Sequence, residues 1–307
     1  MQTQETFIDN LKNQLKYGGM SIRLIFINVI VFLGIRILDV FAQLGGGIEG
    51  AFIENNLTPV FGLHTELSEF FTHPWTLLTN MFAHYDAWHL IWNMVFLYFA
   101  GRLFEQLFNQ KRLLYTYVLG GILGGVLEII AHLIFPSMQF SNDIVIGASG
   151  SIMAIFIAIA FYRPNLTISL FGILPVRIII LALIFIVTDL LNLDSSDGTA
   201  HFAHLGGAIL GVWSIQNIHS SGNIVNQAIK LMQWFSHVFS KNDNSTFKVK
   251  KGGKSKSNRF KPDEDYNSEK KDQQIIIDKI LDKISKSGYE SLTKKEKDFL
   301  FKQSKNG

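Results

Sequence analysis

Four polar side chains lie in or beside apolar stretches of this sequence, at spacings that suit nucleophilic catalysis. Ser149 stands in Gly-Ala-Ser-Gly, His204 stands in Ala-His-Leu-Gly-Gly, and His89 and Asn93 are four residues apart. A serine hydroxyl becomes a good nucleophile only beside a general base, for which histidine is a common choice. Side chains at i and i+4 share a helix face, so His89 and Asn93 could donate hydrogen bonds to a developing oxyanion. The four residues predict a nucleophile, a base and two oxyanion donors.

The elements that carry these residues are predicted to be membrane helices. Of the 307 residues 48% are hydrophobic and 17% are charged, against about 25% charged in soluble domains. A bilayer crossing needs about 20 apolar residues, and six stretches approach that length: 22–43, 84–104, 113–135, 149–162, 170–193 and 203–219. We therefore expect an all-α fold, a polytopic bundle of six transmembrane helices followed by a small soluble helical hairpin.

The absence of cysteine and the positions of the basic residues narrow the picture further. With no cysteine in the chain, disulfides, thiolate catalysis and Cys-based zinc sites are excluded. Lys and Arg are absent from 37–101, 113–162 and 178–229, the ranges that hold the three alternate loops. Basic residues favour the cytoplasmic side, so both termini are expected there. The membrane expected from the six-span core is a bacterial plasma membrane.

The fourth span is too short to cross a bilayer, which sets the depth of Ser149. From Ser149 to Arg163 a helix rises about 21 Å, less than the roughly 30 Å of the hydrocarbon core. Small residues recur every four positions in the fourth and sixth spans, and such stripes let helix backbones approach closely. The stripes are Gly150, Ala154, Ala158 and Ala203, Gly207, Gly211. Docking the stripes would bring Ser149 and His204 to the same depth.

Beyond the membrane region the chain becomes strongly polar. The domain boundaries we expect are an N-terminal cytoplasmic segment at 1–20, the six-helix domain at 21–220, an amphipathic or disordered basic linker at 221–272 and a helical hairpin at 273–307. In the hairpin, apolar residues recur at helical spacing from Ile276 to Ile284, and Thr293 with Glu296 forms a capping box.

Four motifs in this order resemble those of the rhomboid intramembrane proteases over about residues 20–220. They are His84 to Asn93 (HYDAWHLIWN), Gly101-Arg102 to Glu105, Gly147 to Gly150, and Ala203 to Gly207. The resemblance implies a serine endopeptidase that cleaves single-pass membrane proteins within the bilayer. It implies Ser149 as nucleophile, His204 as base, and His89, Asn93 and the Ser149 amide as oxyanion donors. No cofactor, metal or nucleic acid is implied, and the partner of the hairpin is unknown.

The sequence departs from the family at two positions, and it leaves two other functions open. Thr76 follows Trp75 where many relatives have an arginine, and Met153 stands where some have a tyrosine. One alternative function is an inactive rhomboid-like membrane chaperone. The other is a divalent-metal transporter whose ligands would be His84, His89, His201 and His204, since imidazoles can bind zinc.

The remaining polar residues of the membrane region are interpreted as structural. His201 is expected in the loop before the sixth span, at a surface or cavity. Asp189 could orient His204, but it is expected to face the aqueous rim because the family works with a Ser-His dyad. Glu105, Glu128 and His132 are expected to form polar pairs within the bundle.

Overall fold

The computed structural model describes residues 12–15, 17–135, 144–170, 172–193 and 199–239, together with positions 280, 283–284, 292–293 and 296–297. The chain divides into two compact units, Met1–Lys241 and Asn242–Gly307. The first unit is mainly helical. The predicted domain boundaries within this division stay a prediction.

Ten α-helices and two short hairpin-like sheets make up the described part of the first unit that follows residue 19. The helices are α1 (Met20–Leu44), α2 (Thr58–Phe61), α3 (Leu67–Thr72), α4 (Thr76–Thr79), α5 (Ala87–Leu107), α6 (Gln110–Ile134), α7 (Ser149–Tyr162), α8 (Ile178–Leu191), α9 (His201–Ile215) and α10 (Ile224–Phe239). A π-helical turn (Ile53–Leu57) precedes α2, and a 3-10 turn (Asn80–Phe82) follows α4. The strands are β1 (Leu63–His64), β2 (Ile144–Val145), β3 (Thr167–Leu170) and β4 (Leu174–Arg177).

Each of the six predicted spans overlaps one of these helices, and the fourth matches α7 at both ends. By length and apolar composition, two described helices, α1 and α6, are long enough to cross a membrane, while α7 and α8 are apolar but shorter. The apolar, helical character of a membrane protein is thus present, and the number of six crossings stays a prediction.

The predicted start of the fifth span at residue 170 is wrong. Residues 167–177 form an antiparallel hairpin in which Thr167 pairs with Arg177 and Leu170 with Leu174. Gly172 has a φ of +74° in its turn, a conformation that glycine adopts without steric cost. The helix therefore begins only at Ile178, and it has 14 residues.

Helices α5 and α6 begin at side-chain caps. The carboxylate of Asp86 accepts a hydrogen bond from the His89 amide, and the side-chain oxygen of Asn109 accepts one from the Arg112 amide, each at 2.8 Å. Such caps satisfy amides that the first turn of a helix leaves without partners. They fix where α5 and α6 start, and α5 carries His89 and Asn93.

The core of the bundle is α7, packed between α6 and α9. A methyl group built on Gly207 of α9 would overlap the carbonyl oxygen of Gly150, and one built on Gly211 would lie 2.7 Å from the carbonyl oxygen of Ala154. The predicted seam between the two small-residue stripes is therefore confirmed. Gly120 of α6 meets the other side of α7 equally closely, at Ala154, and this second close contact was not predicted.

The loop that leads into α7 is tied to the long first loop. β1 pairs antiparallel with β2, with Leu63 opposite Val145 and His64 opposite Ile144. The Gly147 amide then donates a 2.9 Å hydrogen bond to the carbonyl of Asn80. These contacts hold the backbone immediately before Ser149.

A further helix follows the bundle where a linker was expected. Residues 224–239, within the predicted amphipathic or disordered linker 221–272, form the helix α10, and the linker boundaries stay a prediction. Its start is fixed by Arg112, whose guanidinium donates to Asn223 at 2.8 Å and to Asn226 at 3.0 Å. Leu231, Trp234 and other apolar side chains of α10 are exposed. The linker beyond residue 239 lies outside the described residues.

In the second unit the described residues contain the predicted capping box. The Thr293 amide donates to the Glu296 carboxylate at 2.7 Å, and the Glu296 amide donates to the Thr293 hydroxyl at 3.4 Å. Lys283 also pairs with Glu296 at 3.0 Å. The Thr293 amide, the Thr293 hydroxyl and Lys283 hold the pKa of Glu296 at about 2. Most of the predicted hairpin lies outside the described residues.

Candidate active site

Ser149 begins α7, as predicted, and its side chain is half-buried. The preceding residue, Ala148, provides no side-chain cap for the helix. The first amides of a helix have no partner within it and carry the positive end of the helix dipole. None of the described residues accepts a hydrogen bond from the Ser149 or Gly150 amide. These N–H groups are therefore available to an anionic oxygen beside the Ser149 hydroxyl.

His204 lies in the first turn of α9, beside the start of α7. The neighbours of the two residues meet, since a methyl group built on Gly150 would lie 3.0 Å from the carbonyl oxygen of Ala203. No hydrogen bond joins the Ser149 hydroxyl to His204 among the described residues. Catalytic hydrogen bonds of this kind are often loose before substrate binds. The structure thus brings both residues to the same end of one helix pair.

His89 lies against the backbone that enters α7. A methyl group built on Gly147 would lie 2.7 Å from Cε1 of the His89 ring, and Gly147 itself has a φ of +118°. Glycine is needed here on both counts, for the positive φ and for the close approach of the ring. The His84 ring lies 5.1 Å from the His89 ring, and the Ala148 amide points to Nε2 of His84 at 3.4 Å. The His89 ring therefore lies against Gly147, two residues before Ser149 in the sequence.

Asn93 is buried one turn further along α5. Its side-chain amide donates a 3.0 Å hydrogen bond to the carbonyl of His89. An asparagine amide has two N–H donors, so one remains for another acceptor. The described contacts do not join Asn93 to Ser149 or to His204.

Asp189 contacts both histidines of α9, so two structural expectations were wrong. Its Oδ1 atom lies 2.7 Å from Nδ1 of His201 and 2.9 Å from Nδ1 of His204. Asp189 and His201 are only 5% and 7% exposed. Asp189 is therefore inside the bundle and not at an aqueous rim. His201 is the first residue of α9 and is buried, with its ring in contact with Asp189.

Comparison with known proteins identifies the domain that carries these residues. Residues 72–220 match the model of the Rhomboid domain. This match covers just under half of the chain and shows that this region is similar to rhomboid domains. Residues 262–306 match a second model, a family of unknown function, DUF6576.

Curated relatives share the rhomboid region. RHOMBOID-like protein 12, mitochondrial, from Arabidopsis thaliana is 32% identical over 144 residues, 43% of each chain. Presenilin-associated rhomboid-like protein A, mitochondrial, from Danio rerio is 28% identical over 145 residues, 45% of this chain and 36% of its own. RHOMBOID-like protein 2 from Arabidopsis thaliana is 30% identical over 138 residues, 45% of this chain and 40% of its own. The chain thus covers less than half the length of these relatives, and the predicted bacterial membrane stays a prediction.

The polar pairs expected in the rhomboid domain are present, and one of them contacts the candidate site. Glu128 lies 3.6 Å from the His132 ring, and its other oxygen accepts a 2.9 Å hydrogen bond from the Ala203 amide. Glu105 accepts a 2.7 Å hydrogen bond from the Ser21 hydroxyl. The contact between Glu128 and Ala203 was not predicted. It holds the first turn of α9 at Ala203, the residue before His204.

The four-histidine metal site of the transporter alternative is not formed by the described residues. The group that brings ligand atoms within 4.8 Å of one another consists of Asp189, His201 and His204. It does not include His84 or His89, which pair with each other at the start of α5. The transporter interpretation therefore lacks the ligand set from which it was inferred.

Two signals in the sequence could have placed Asp189. It is the one acidic residue in the 14-residue apolar stretch of α8, and ionisable residues within such stretches usually face the bundle interior. His201 and His204 are three residues apart, a spacing that puts both rings on one helix face. An isolated acidic residue in one apolar helix and two histidines on one face of the next helix together indicate a contact between them.

Proposed function

We propose that this rhomboid domain is an intramembrane serine endopeptidase that cleaves single-pass membrane proteins, with Ser149 as nucleophile and His204 as base. The observation that carries the proposal is the seam between α7 and α9. Gly150 and Ala203 meet backbone to backbone, so Ser149 and His204, each next in sequence to one of them, lie near each other at the start of the two helices. A serine and a histidine at one depth of a close helix pair fit acyl transfer.

The proposed reaction balances with these residues alone. The Ser149 hydroxyl oxygen attacks the carbonyl carbon of the scissile bond while His204 accepts its proton. The carbonyl oxygen becomes an oxyanion, which the Ser149 amide stabilises with His89 and Asn93 as further donors. His204 then gives the proton to the leaving amine, which releases one product and leaves an ester on Ser149. Water, deprotonated by His204, then attacks that ester, and His204 returns the proton to the Ser149 oxygen as the second product, a carboxylic acid, leaves.

The contact between His204 and Asp189 supports the role of base. Nδ1 of His204 points to the carboxylate, so the other ring nitrogen, Nε2, is left to accept a proton from Ser149. Ser149 and His204 are both partly exposed, with His204 16% exposed on its side chain. A water-accessible pair is required because hydrolysis of the ester consumes water.

Cleavage of a model single-pass substrate tests the proposal. Ser149→Ala and His204→Ala are each expected to reduce the rate by at least about 10³-fold, as loss of a nucleophile or base does in serine proteases. Ser151→Ala is the matched control, because it removes from the same helix a hydroxyl that donates to the sulfur of Met81. Full activity of a folded Ser149→Ala protein would contradict the proposal. A folded wild-type protein that binds such substrates without cleaving them would favour the chaperone alternative.

We also propose that the domain crosses the membrane six times with both termini in the cytoplasm. The absence of cysteine makes this directly testable with single substitutions. Asn55→Cys, in the exposed first loop, is expected to react with an impermeant maleimide added outside intact cells. Lys111→Cys, in the first turn of α6, is expected to react only after the membrane is opened. The reverse pattern would invert the topology.

A further inference from the structure

We propose that Asp189 is a positioning residue that holds His204 in its reactive orientation, and that it does so through a carboxylate oxygen shared with His201. The inference rests on the proposed function. It adds to a Ser-His pair a carboxylate that sequence reasoning had assigned to the rim. Three observations carry it: the burial of Asp189, the two hydrogen bonds to one oxygen, and the exposure of the rest of α8.

Asp189 is an exception on its own helix. Among its immediate neighbours Val187, Leu190 and Leu191 are at least half exposed, while Asp189 is 5% exposed. Buried residues of α8 are otherwise only Ile178 and Ala182, near the opposite end. A carboxylate within an apolar bundle is costly unless hydrogen-bond donors compensate its charge. The two imidazole N–H groups supply that compensation, so the position of Asp189 is tied to the histidines.

The shared oxygen determines which nitrogen of each ring carries the proton. Both contacts to Oδ1 are made by Nδ1 atoms, and an ionised carboxylate can only accept. Each ring must therefore hold a proton on Nδ1, and a neutral His204 then has its lone pair on Nε2. That tautomer is the one able to take the Ser149 proton. Without the carboxylate, His204 could carry its proton on either ring nitrogen, and its ring could rotate.

His201 contributes by holding the carboxylate in place from the other side. Its Nδ1 is the nearer of the two donors, at 2.7 Å, and its ring is buried. With both donors on Oδ1, the carboxylate cannot turn away from His204 without losing His201 as well. The pair of contacts thus links α8, which is otherwise largely exposed, to the first turn of α9.

The same three residues have the composition of a metal site, which makes a different prediction. A zinc ion bound through Nδ1 of His204 would displace the proton to Nε2 and remove the lone pair that Ser149 needs. Metal binding and catalysis by this tautomer therefore exclude each other. Under the proposal, activity survives EDTA unchanged. Loss of activity on chelation, with recovery on adding Zn²⁺, would overturn the proposal.

The test uses the full chain in detergent with a single-pass substrate. Asp189→Asn keeps the shape of the side chain but can present its amide to His204, which favours the wrong tautomer. We expect kcat to fall at least tenfold and up to about 10⁴-fold, with KM changed less than threefold. The matched control is Thr188→Val on the same helix, whose side chain is exposed and which should keep the wild-type kcat. A wild-type kcat in folded Asp189→Asn would overturn the proposal.

A second measurement needs no variant to fold. In protein labelled with ¹⁵N-histidine, the His204 ring nitrogens should show a protonated Nδ1 and an unprotonated Nε2, the tautomer that the contact with Asp189 requires. His204 with the proton on Nε2 would overturn the proposal. Failure of the proposed function is distinguishable, because it would appear as activity in Ser149→Ala, whatever Asp189→Asn does.

Discussion

Helices α7 and α8 have the same length and a similar apolar composition, but opposite surroundings. Both have 14 residues. In α7 the residues from Gly150 to Ala160 are buried, apart from a partly exposed Met153, whereas α8 buries only Ile178, Ala182 and Asp189. Hydrophobicity therefore does not distinguish the central helix of this bundle from a peripheral one.

The difference lies in residue size. α7 has Gly150, Ala154 and Ala158 at a spacing of four, while most positions of α8 carry large branched or aromatic side chains. Within a bilayer, lipid tails are as apolar as leucine, so helices associate where small residues allow their backbones to pack. The helix that carries Ser149 is thereby held on two sides, by α6 and by α9. Most side chains of α8 are left exposed, as the proposed crossing of the membrane by this helix requires.

The largest effect is expected from filling the seam of α7. Gly207→Val would drive a side chain into the Gly150 carbonyl, which is backbone and cannot move aside. Overpacking of this kind costs about 3 kcal/mol or more, and the displacement would separate Ser149 from His204. We expect loss of cleavage and a lower midpoint of thermal unfolding in detergent. Ile209→Val, on the exposed face of the same helix, is the control. A Gly207→Val protein as stable and active as the control would contradict the seam.

An intermediate effect is expected at the glycines that precede the two helices. Gly147 and Gly172 both have positive φ, but Gly147 contacts His89 while a methyl group on Gly172 would meet nothing within 4 Å. Alanine at either position carries a backbone cost of about 1–3 kcal/mol. We expect Gly147→Ala to lower cleavage at least tenfold because His89 is also displaced. Gly172→Ala should lower stability but leave kcat unchanged. Equal losses of kcat in the two variants would contradict the special role of Gly147.

The smallest effect is expected from removing one methylene from each helix. Ile157 of α7 is completely buried, whereas Ile184 of α8 is 55% exposed. Ile157→Val should destabilise by about 0.5–1.5 kcal/mol, and Ile184→Val by less than about 0.5 kcal/mol. Unfolding in a mixed detergent series measures both. Equal destabilisation would mean that α8 is packed in protein and not facing lipid.

Those parts of the fold that depend on local pattern could be predicted from the sequence. The bounds of α7, the seam between Gly150 and Gly207 and the capping box of Thr293 all follow from residue type and spacing. The interior position of Asp189 does not follow from the periodicity of α8, which is apolar on every face. It could have been indicated only by combining the isolated acidic residue with the spacing of His201 and His204. Glu128 at the start of α9 was missed for a related reason, since its partner is a backbone amide 75 residues away.

The bounds of two further elements were not predicted from the sequence. α10 lies in the segment predicted as an amphipathic or disordered linker, and its apolar residues three and four apart fit the amphipathic form. The β3–β4 hairpin has apolar residues that continue without a break into α8, so the predicted span began too early. The catalytic roles of Ser149, His204, His89 and Asn93 remain predictions that the geometry supports by placing the first two at one end of the seam.

Covalent labelling with a fluorophosphonate tests the central claim most directly. The reagent reacts only with a serine that an adjacent base activates. Wild-type protein in detergent should gain one adduct, found by peptide mass mapping on Ser149, and folded His204→Ala should gain none at the same exposure. A folded wild-type protein without an adduct, or one labelled at another serine, would contradict the assignment of Ser149 as nucleophile.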